Sequence, residues 1–306
     1  MRKQVTITKT DHRVFIEENA PRDGLQNEAA VFSLEEKVSL VDSLTQCGFP
    51  RIQVGAFVDP RKVPQMADTE KLLERIARGG QTIYSALVLN ERGMERAAAS
   101  GIGHVSFFVS ASDAHSRRNT NLSAEDALHQ ARKAVSKAVS RGISVQGGIM
   151  NAFTCPFEGV IPLERVLYLV CTLTEMGVEE INLADTAGLA HPLQVTRVVQ
   201  RVLQVTEIPV SLHLHDSLGF GLVNAYAAWN EGIRRFDASC GGLGGCPFLP
   251  QSAGNIASED MVNLFESMGV STGISLPRLV EVARMLRTKL NRPLWSRYLT
   301  LCGSPP

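Results

Sequence analysis

His213 and His215, in "SLHLHDSLGFG" (211–221), are two imidazoles separated by one leucine. On a β-strand, side chains at i and i+2 share a face. Both rings therefore point one way, and Leu212 and Leu214 the other. Such a pair either lies on a wet sheet face with each ring hydrogen-bonded, or grips something between the rings. Other segments carry groups that complement it. "PRDGLQNE" holds Arg22 and Asp23, "SAGNIASED" holds Asn255 and Glu259, and "GGLGGCPF" holds Cys246. Two imidazoles and one carboxylate make a divalent-metal site, to which Asn255 adds an amide oxygen. Mixed N/O ligation with open positions suits Mg2+ or Mn2+, and the same atoms take Zn2+ or Fe2+. Arg22 either pairs with an acidic neighbour or clamps a carbonyl or enolate oxygen. Asp23–Gly24 taken alone is a tight-turn signal. The glycine run suits a phosphate-binding nest, but its place just before Cys246 favours a loop that closes and carries the thiol with it. A cysteine with flexible flanks near a cation is a candidate acid. Cys155, in "FTCPFEG", lacks that hinge and reads as structural or substrate-lining.

These groups need a scaffold that brings distant segments together. Eight β-rich runs (14–19, 51–57, 82–88, 104–110, 144–150, 180–185, 209–216 and 234–240) alternate with amphipathic helical stretches. Helix starts are marked by Ser33 with Glu36, by Ser123 with Asp126, and by Pro192. Run-to-run spacings of roughly 20–40 residues are the length of a βα unit. The pattern predicts an α/β fold, a (β/α)8 TIM barrel. A doubly wound open sheet competes, but no GxGxxG follows the first run. No linker divides the chain, so residues 1–306 read as one domain. The barrel runs from about 14 to about 270, and an extra C-terminal helical extension spans about 275–306. In such a barrel the working groups sit where strands end, and Arg22, Asp23, Asp185, His213, His215 and Cys246 all fall there.

Composition narrows the partners. With 31 basic and 31 acidic side chains, the chain has no net charge to recruit nucleic acid or an anionic membrane. No apolar run approaches about 18 residues, and the N-terminus lacks a signal-like apolar segment. A cytoplasmic location is expected. Six cysteines without CxxC spacing suggest free thiols. The extra C-terminal helix offers a surface for a homodimer contact.

Together, "PRDGLQNE", "FVDPRKVPQMAD", "CPFEG", "ADTAG", "HLHD", "GGLGGCPF" and "SAGNIASED" resemble the 3-hydroxy-3-methylglutaryl-CoA lyase family of TIM-barrel metallolyases, from about Phe15 to Arg292. The resemblance implies an oxo-acid lyase acting on an acyl-CoA thioester. It would cleave a 3-hydroxyacyl-CoA with a distal carboxylate by retro-Claisen chemistry, as from 3-hydroxy-3-methylglutaryl-CoA to acetyl-CoA and acetoacetate. It implies Asp23, His213, His215 and Asn255 as metal ligands, and Arg22 at the enolate oxygen. It further implies Cys246 as a proton-transfer thiol, Asp185 as a catalytic acid/base group and Glu259 as a supporting carboxylate. Arg22, Gln26 and Gln53 are placed against substrate. Three positions depart from the family pattern. Gln53 replaces a usual glutamate, Ala29 a lysine associated with CoA, and Ser271 an asparagine expected near the CoA path. A lyase for citramalyl-CoA or another branched 3-hydroxyacyl-CoA is therefore the alternative. Two readings from other classes are an Fe2+-dependent oxygenase, which the βα pattern disfavours, and a non-catalytic acyl-CoA-binding barrel. Anaerobic turnover separates the first from a lyase, and a thioester panel separates the second.

Overall fold

Each β-rich run forms a strand, and the strands close on one another. The structure, a computed structural model, describes residues 12–26, 28–78, 80–245 and 253–302. The barrel strands are β1 (Phe15–Glu18), β2 (Arg51–Phe57), β3 (Ile83–Val88), β4 (His104–Ser110), β5 (Ser144–Met150), β8 (Glu180–Asp185), β9 (Val210–Leu214) and β10 (Arg235–Ala238). All pair in parallel, in the closed order β1-β10-β9-β8-β5-β4-β3-β2. A short antiparallel hairpin, β6 (Thr154–Cys155) with β7 (Gly159–Val160), follows β5 and had no counterpart in the sequence reading.

The expected helix starts are built as capped turns. Ser33 accepts from the Glu36 N–H, and Glu36 reaches back to the Ser33 N–H, a complete capping box at helix Leu34–Cys47. Ser123 accepts from the Asp126 N–H at 3.0 Å, and Pro192 opens helix Pro192–Val202. Leu212 and Leu214 are buried in the apolar layer between barrel and helices. After the barrel come two helices rather than one, Leu276–Leu290 and Arg297–Cys302. The second is tied down by Asp260, which accepts from the backbone N–H groups of Arg297 and Tyr298. Among the described residues no helix is long and apolar enough to cross a membrane.

The barrel interior is polar where many barrels are packed with aliphatic layers. Arg51 lies inside it, paired with Glu17 at 2.6 Å and with Glu180 at 2.7 Å. Ser211 and Gln146 add hydrogen bonds to Glu180. Burying charge costs several kcal/mol per ion unless partners and hydrogen bonds replace water, and here two carboxylates flank one guanidinium. This layer forms a rigid floor below the mouth.

Candidate active site

The site starts where β1 ends. Residues Ala20–Gly24 wind one π-helical turn, in which the Asn19 carbonyl accepts from the N–H groups of Arg22, Asp23 and Gly24 at 3.1, 2.8 and 3.1 Å. Wide turns of this kind recur at functional sites. This one delivers Arg22 and Asp23 side by side to the barrel mouth. His213 comes from β9 and His215 from the residue just past its end. The segment around Asn255 then folds back onto the end of β9, where His215 and Asn255 form an antiparallel bridge.

One ligand atom from each of Asp23, His213 and His215 lies within 4.8 Å of the others. The two Nε2 atoms face each other at 3.1 Å, and His215 Nε2 is 3.9 Å from Asp23 Oδ2. Asn255 donates through Nδ2 to Asp23 Oδ2 at 2.7 Å and to the Leu243 carbonyl at 2.9 Å. Its Oδ1 is buried with no hydrogen-bond partner among the described residues. Buried oxygens are rarely left so, and a divalent cation is the partner this donor set fits. Two imidazoles and a carboxylate converge, with the Asn255 amide hydrogen-bonded to that carboxylate.

The charges agree. Burial works to raise the Asp23 pKa, but the Arg22 cation and the two imidazoles outweigh it and hold the carboxyl at about 2. Burial also opposes protonation of His213, yet the Asp237 hydrogen bond and charge, with Asp23, raise its pKa. His215 is pushed down to about 4 by burial and by the charge of His213. A cation bound between the two facing Nε2 atoms would take both lone pairs and displace any proton shared there.

The root of the glycine run closes one side. Gly244 has φ +104°, and a Cβ there would sit 2.5 Å from Asn255 Nδ2 and 3.0 Å from Asp23 Oδ2. Only glycine meets both demands. Cys246 itself lies outside the described residues. The mouth opens into a cavity of about 610 Å3 lined by Arg22, Asp23, Gln26, His213 and His215, with Leu87, Phe108 and Met150 among its apolar walls.

Arg22 is held along one edge. Its Nη1 donates to Asp23 Oδ1 and its Nε to Gln53 Oε1, while Gln53 Nε2 donates to Ser106 Oγ at 2.8 Å. Gln53 is buried behind Arg22 and touches the guanidinium instead of lining the cavity. Its neutral amide orients Arg22 without cancelling the charge.

Two residues that the resemblance places in the chemistry lie away from the ligand cluster. Asp185 is one step out of phase on β8, whose neighbours Ala184 and Thr186 reach the cavity wall. Its two oxygens accept from the backbone N–H groups of Leu189 and Ala190 at 3.1 and 3.0 Å, so it ties down the loop after β8. Burial raises its pKa to about 6, with those N–H groups and His213 pulling the other way. Glu259 is fully buried, accepts from the Gly241 N–H at 3.0 Å and from the Cys240 thiol at 3.2 Å, and so anchors the root of the glycine run. Ser271 requires a correction. It pairs with Arg13 just ahead of β1, at the barrel end opposite the mouth, and is no part of a path to the ligand cluster. Ala29 is exposed on the loop beyond the π turn. Sequence reasoning missed Ser106 and Asp237. Both are brought to the site by the placement of one strand against another, which the period of two within a strand does not reveal.

Closed parallel barrel, mouth-facing donor set and glycine root define a TIM barrel with a candidate metal site, and comparison with known proteins assigns its class. The HMGL-like family model matches residues 13–286, and the chain belongs to that family. It is 41% identical over 292 residues to the (R)-citramalyl-CoA lyase of Chloroflexus aurantiacus, covering 92% of each chain. The crystal structure of the HMG-CoA lyase of Bacillus subtilis superposes with a TM-score of 0.93 at 37% identity, covering 96% of this chain and 99% of that one. An HMG-CoA lyase from Acinetobacter baumannii, in complex with coenzyme A and 3-methylmalate, superposes at 0.92 with 36% identity and 97% coverage of both chains.

Proposed function

We propose that this chain is a divalent-metal-dependent carbon–carbon lyase that cleaves 3-hydroxy-3-methylglutaryl-CoA to acetyl-CoA and acetoacetate. The observation that carries the reading is the convergence of Asp23, His213 and His215 beside Arg22, with the Asn255 amide hydrogen-bonded to Asp23. Mg2+ or Mn2+ suits this mixed oxygen and nitrogen set best, with Zn2+ a less suitable occupant. When bound, the cation supplies Lewis acidity toward the substrate's hydroxyl and carboxylate.

The chain's own residues do the rest. Cleavage turns the tertiary hydroxyl into a ketone and leaves the electron pair of the broken bond on a thioester enolate. Arg22, buried and held edge-on by Gln53 and Asp23, faces that developing charge from a water-poor site, where a fixed cation counts most. Cys246 then gives its proton to the enolate carbon, and the proton released by the hydroxyl returns to the thiolate through solvent, so that none is gained or lost. Asp185 and Glu259 act as positioning residues, through the loop after β8 and the root of the glycine run.

The similarity to a citramalyl-CoA lyase, together with the neutral Gln53, supports the alternative within the same family. Both readings share the site and differ in the acyl chain. Purified protein with Mg2+ or Mn2+ should release acetyl-CoA from 3-hydroxy-3-methylglutaryl-CoA at a higher kcat/KM than from citramalyl-CoA. The reverse order transfers the assignment to the alternative. Gln53→Glu sharpens the test. A carboxylate there pairs with Arg22 and takes away the amide donor to Ser106. The expected result is a change of about tenfold in the kcat/KM ratio of the two thioesters, in favour of 3-hydroxy-3-methylglutaryl-CoA. An unchanged rate and ratio would make position 53 incidental to specificity.

A further inference from the structure

The two histidines of the site are not equivalent, and the difference lies behind the rings. Asp237 is the register partner of His213 on the neighbouring strand β10. Its Oδ2 lies 3.1 Å from His213 Nδ1, and both residues are buried, at 3% and 6% exposure. A carboxylate oxygen accepts, so in this contact Nδ1 carries the proton and the Nε2 lone pair is left to face the cluster. Among the described residues no such group stands behind His215, whose Nδ1 is buried with no hydrogen-bond partner among them. Asp237 is itself immobilised. Asn182 Nδ2 donates to the same Oδ2 at 3.0 Å and to Ser211 Oγ at 3.0 Å, and Ser211 donates to Glu180 at 2.8 Å. Glu180 is paired with Arg51 in the barrel floor. The ring of His213 is thus linked by hydrogen bonds to the buried ion-paired layer of the barrel.

We propose that Asp237 is a positioning residue that locks His213 in the Nδ1–H tautomer and makes it the anchoring imidazole of the site, with His215 the compliant one. The inference rests on the metal-dependent reading above and adds to it a residue outside the ligand set. Carboxylates behind metal-bound histidines fix the ring and raise its basicity, and their loss weakens metal binding about 10–100-fold.

The test is a calorimetric Mn2+ titration of the metal-free full-length protein and of Asp237→Asn, which keeps the size and removes the charge. The variant should bind Mn2+ about 10–100-fold more weakly while its metal-free form melts close to wild type. A second measurement needs no variant. Long-range 1H–15N spectra of the wild-type Mg2+ form should show His213 protonated at Nδ1. Equal Mn2+ affinity in Asp237→Asn, or a wild-type His213 protonated at Nε2, would overturn the proposal while leaving the metal site intact. Wild-type protein that binds no Mn2+ would instead overturn the functional reading, and the anchoring role with it. Should the variant fail to fold, the wild-type tautomer decides.

Discussion

His213→Ala is expected to lower kcat/KM for the confirmed thioester by about a thousandfold or more, with the barrel still folded. Losing a ligand removes metal stabilisation of developing charge worth several kcal/mol, and each 1.4 kcal/mol is about a decade in rate. The ring lies at the mouth, where its removal leaves a gap open to the cavity rather than a sealed core void. The remaining structural cost is that Asp237 loses its His213 contact while keeping Asn182, about 1–3 kcal/mol for a buried acceptor. Far-ultraviolet circular dichroism should match wild type, and melting should fall by a few degrees. A variant that keeps a tenth or more of wild-type activity would remove His213 from the site.

Cys246→Ser is the second large effect. Serine nearly preserves size but replaces a thiol of pKa near 8.5 with a far weaker acid. If the thiol protonates the enolate carbon, turnover should drop on the order of 10²-fold. Mn2+ affinity should stay at the wild-type value, because the thiol is no ligand. This split separates the two positions, since His213→Ala should lose both turnover and metal. Near-wild-type turnover of Cys246→Ser under reducing conditions would assign proton delivery to another group.

Much of this was legible in the residues because the barrel uses two short periods. Alternation along each strand and amphipathic helices between them predict eight βα units, and eight parallel strands close the barrel. The HxH pair reads correctly for the same reason, as one strand face is a local property. What escaped depends on how strands are placed against each other. Asp237 backs His213 only because β9 and β10 pair in that register, and "RFDAS" alone gives no hint of it. Asp185 ends a β-rich run at the mouth, yet parity turns its side chain toward the loop after β8, where two backbone N–H groups hold it. The polar floor around Arg51 was invisible because its partners Glu17 and Glu180 are 34 and 129 residues away along the chain. The resemblance places Ser271 near the CoA path, but the parallel bridge to Arg13 ahead of β1 puts it at the base.

The central claim is that one divalent cation at Asp23, His213, His215 and Asn255 is required to break a carbon–carbon bond in an acyl-CoA. The most direct measurement follows acetyl-CoA release from 3-hydroxy-3-methylglutaryl-CoA and citramalyl-CoA by protein stripped with chelator and then titrated with Mg2+ or Mn2+. The account expects no release before metal is added and saturable recovery afterwards with at least one thioester. Release that persists in stripped protein, or no acetyl-CoA from either thioester at any metal concentration, would contradict it.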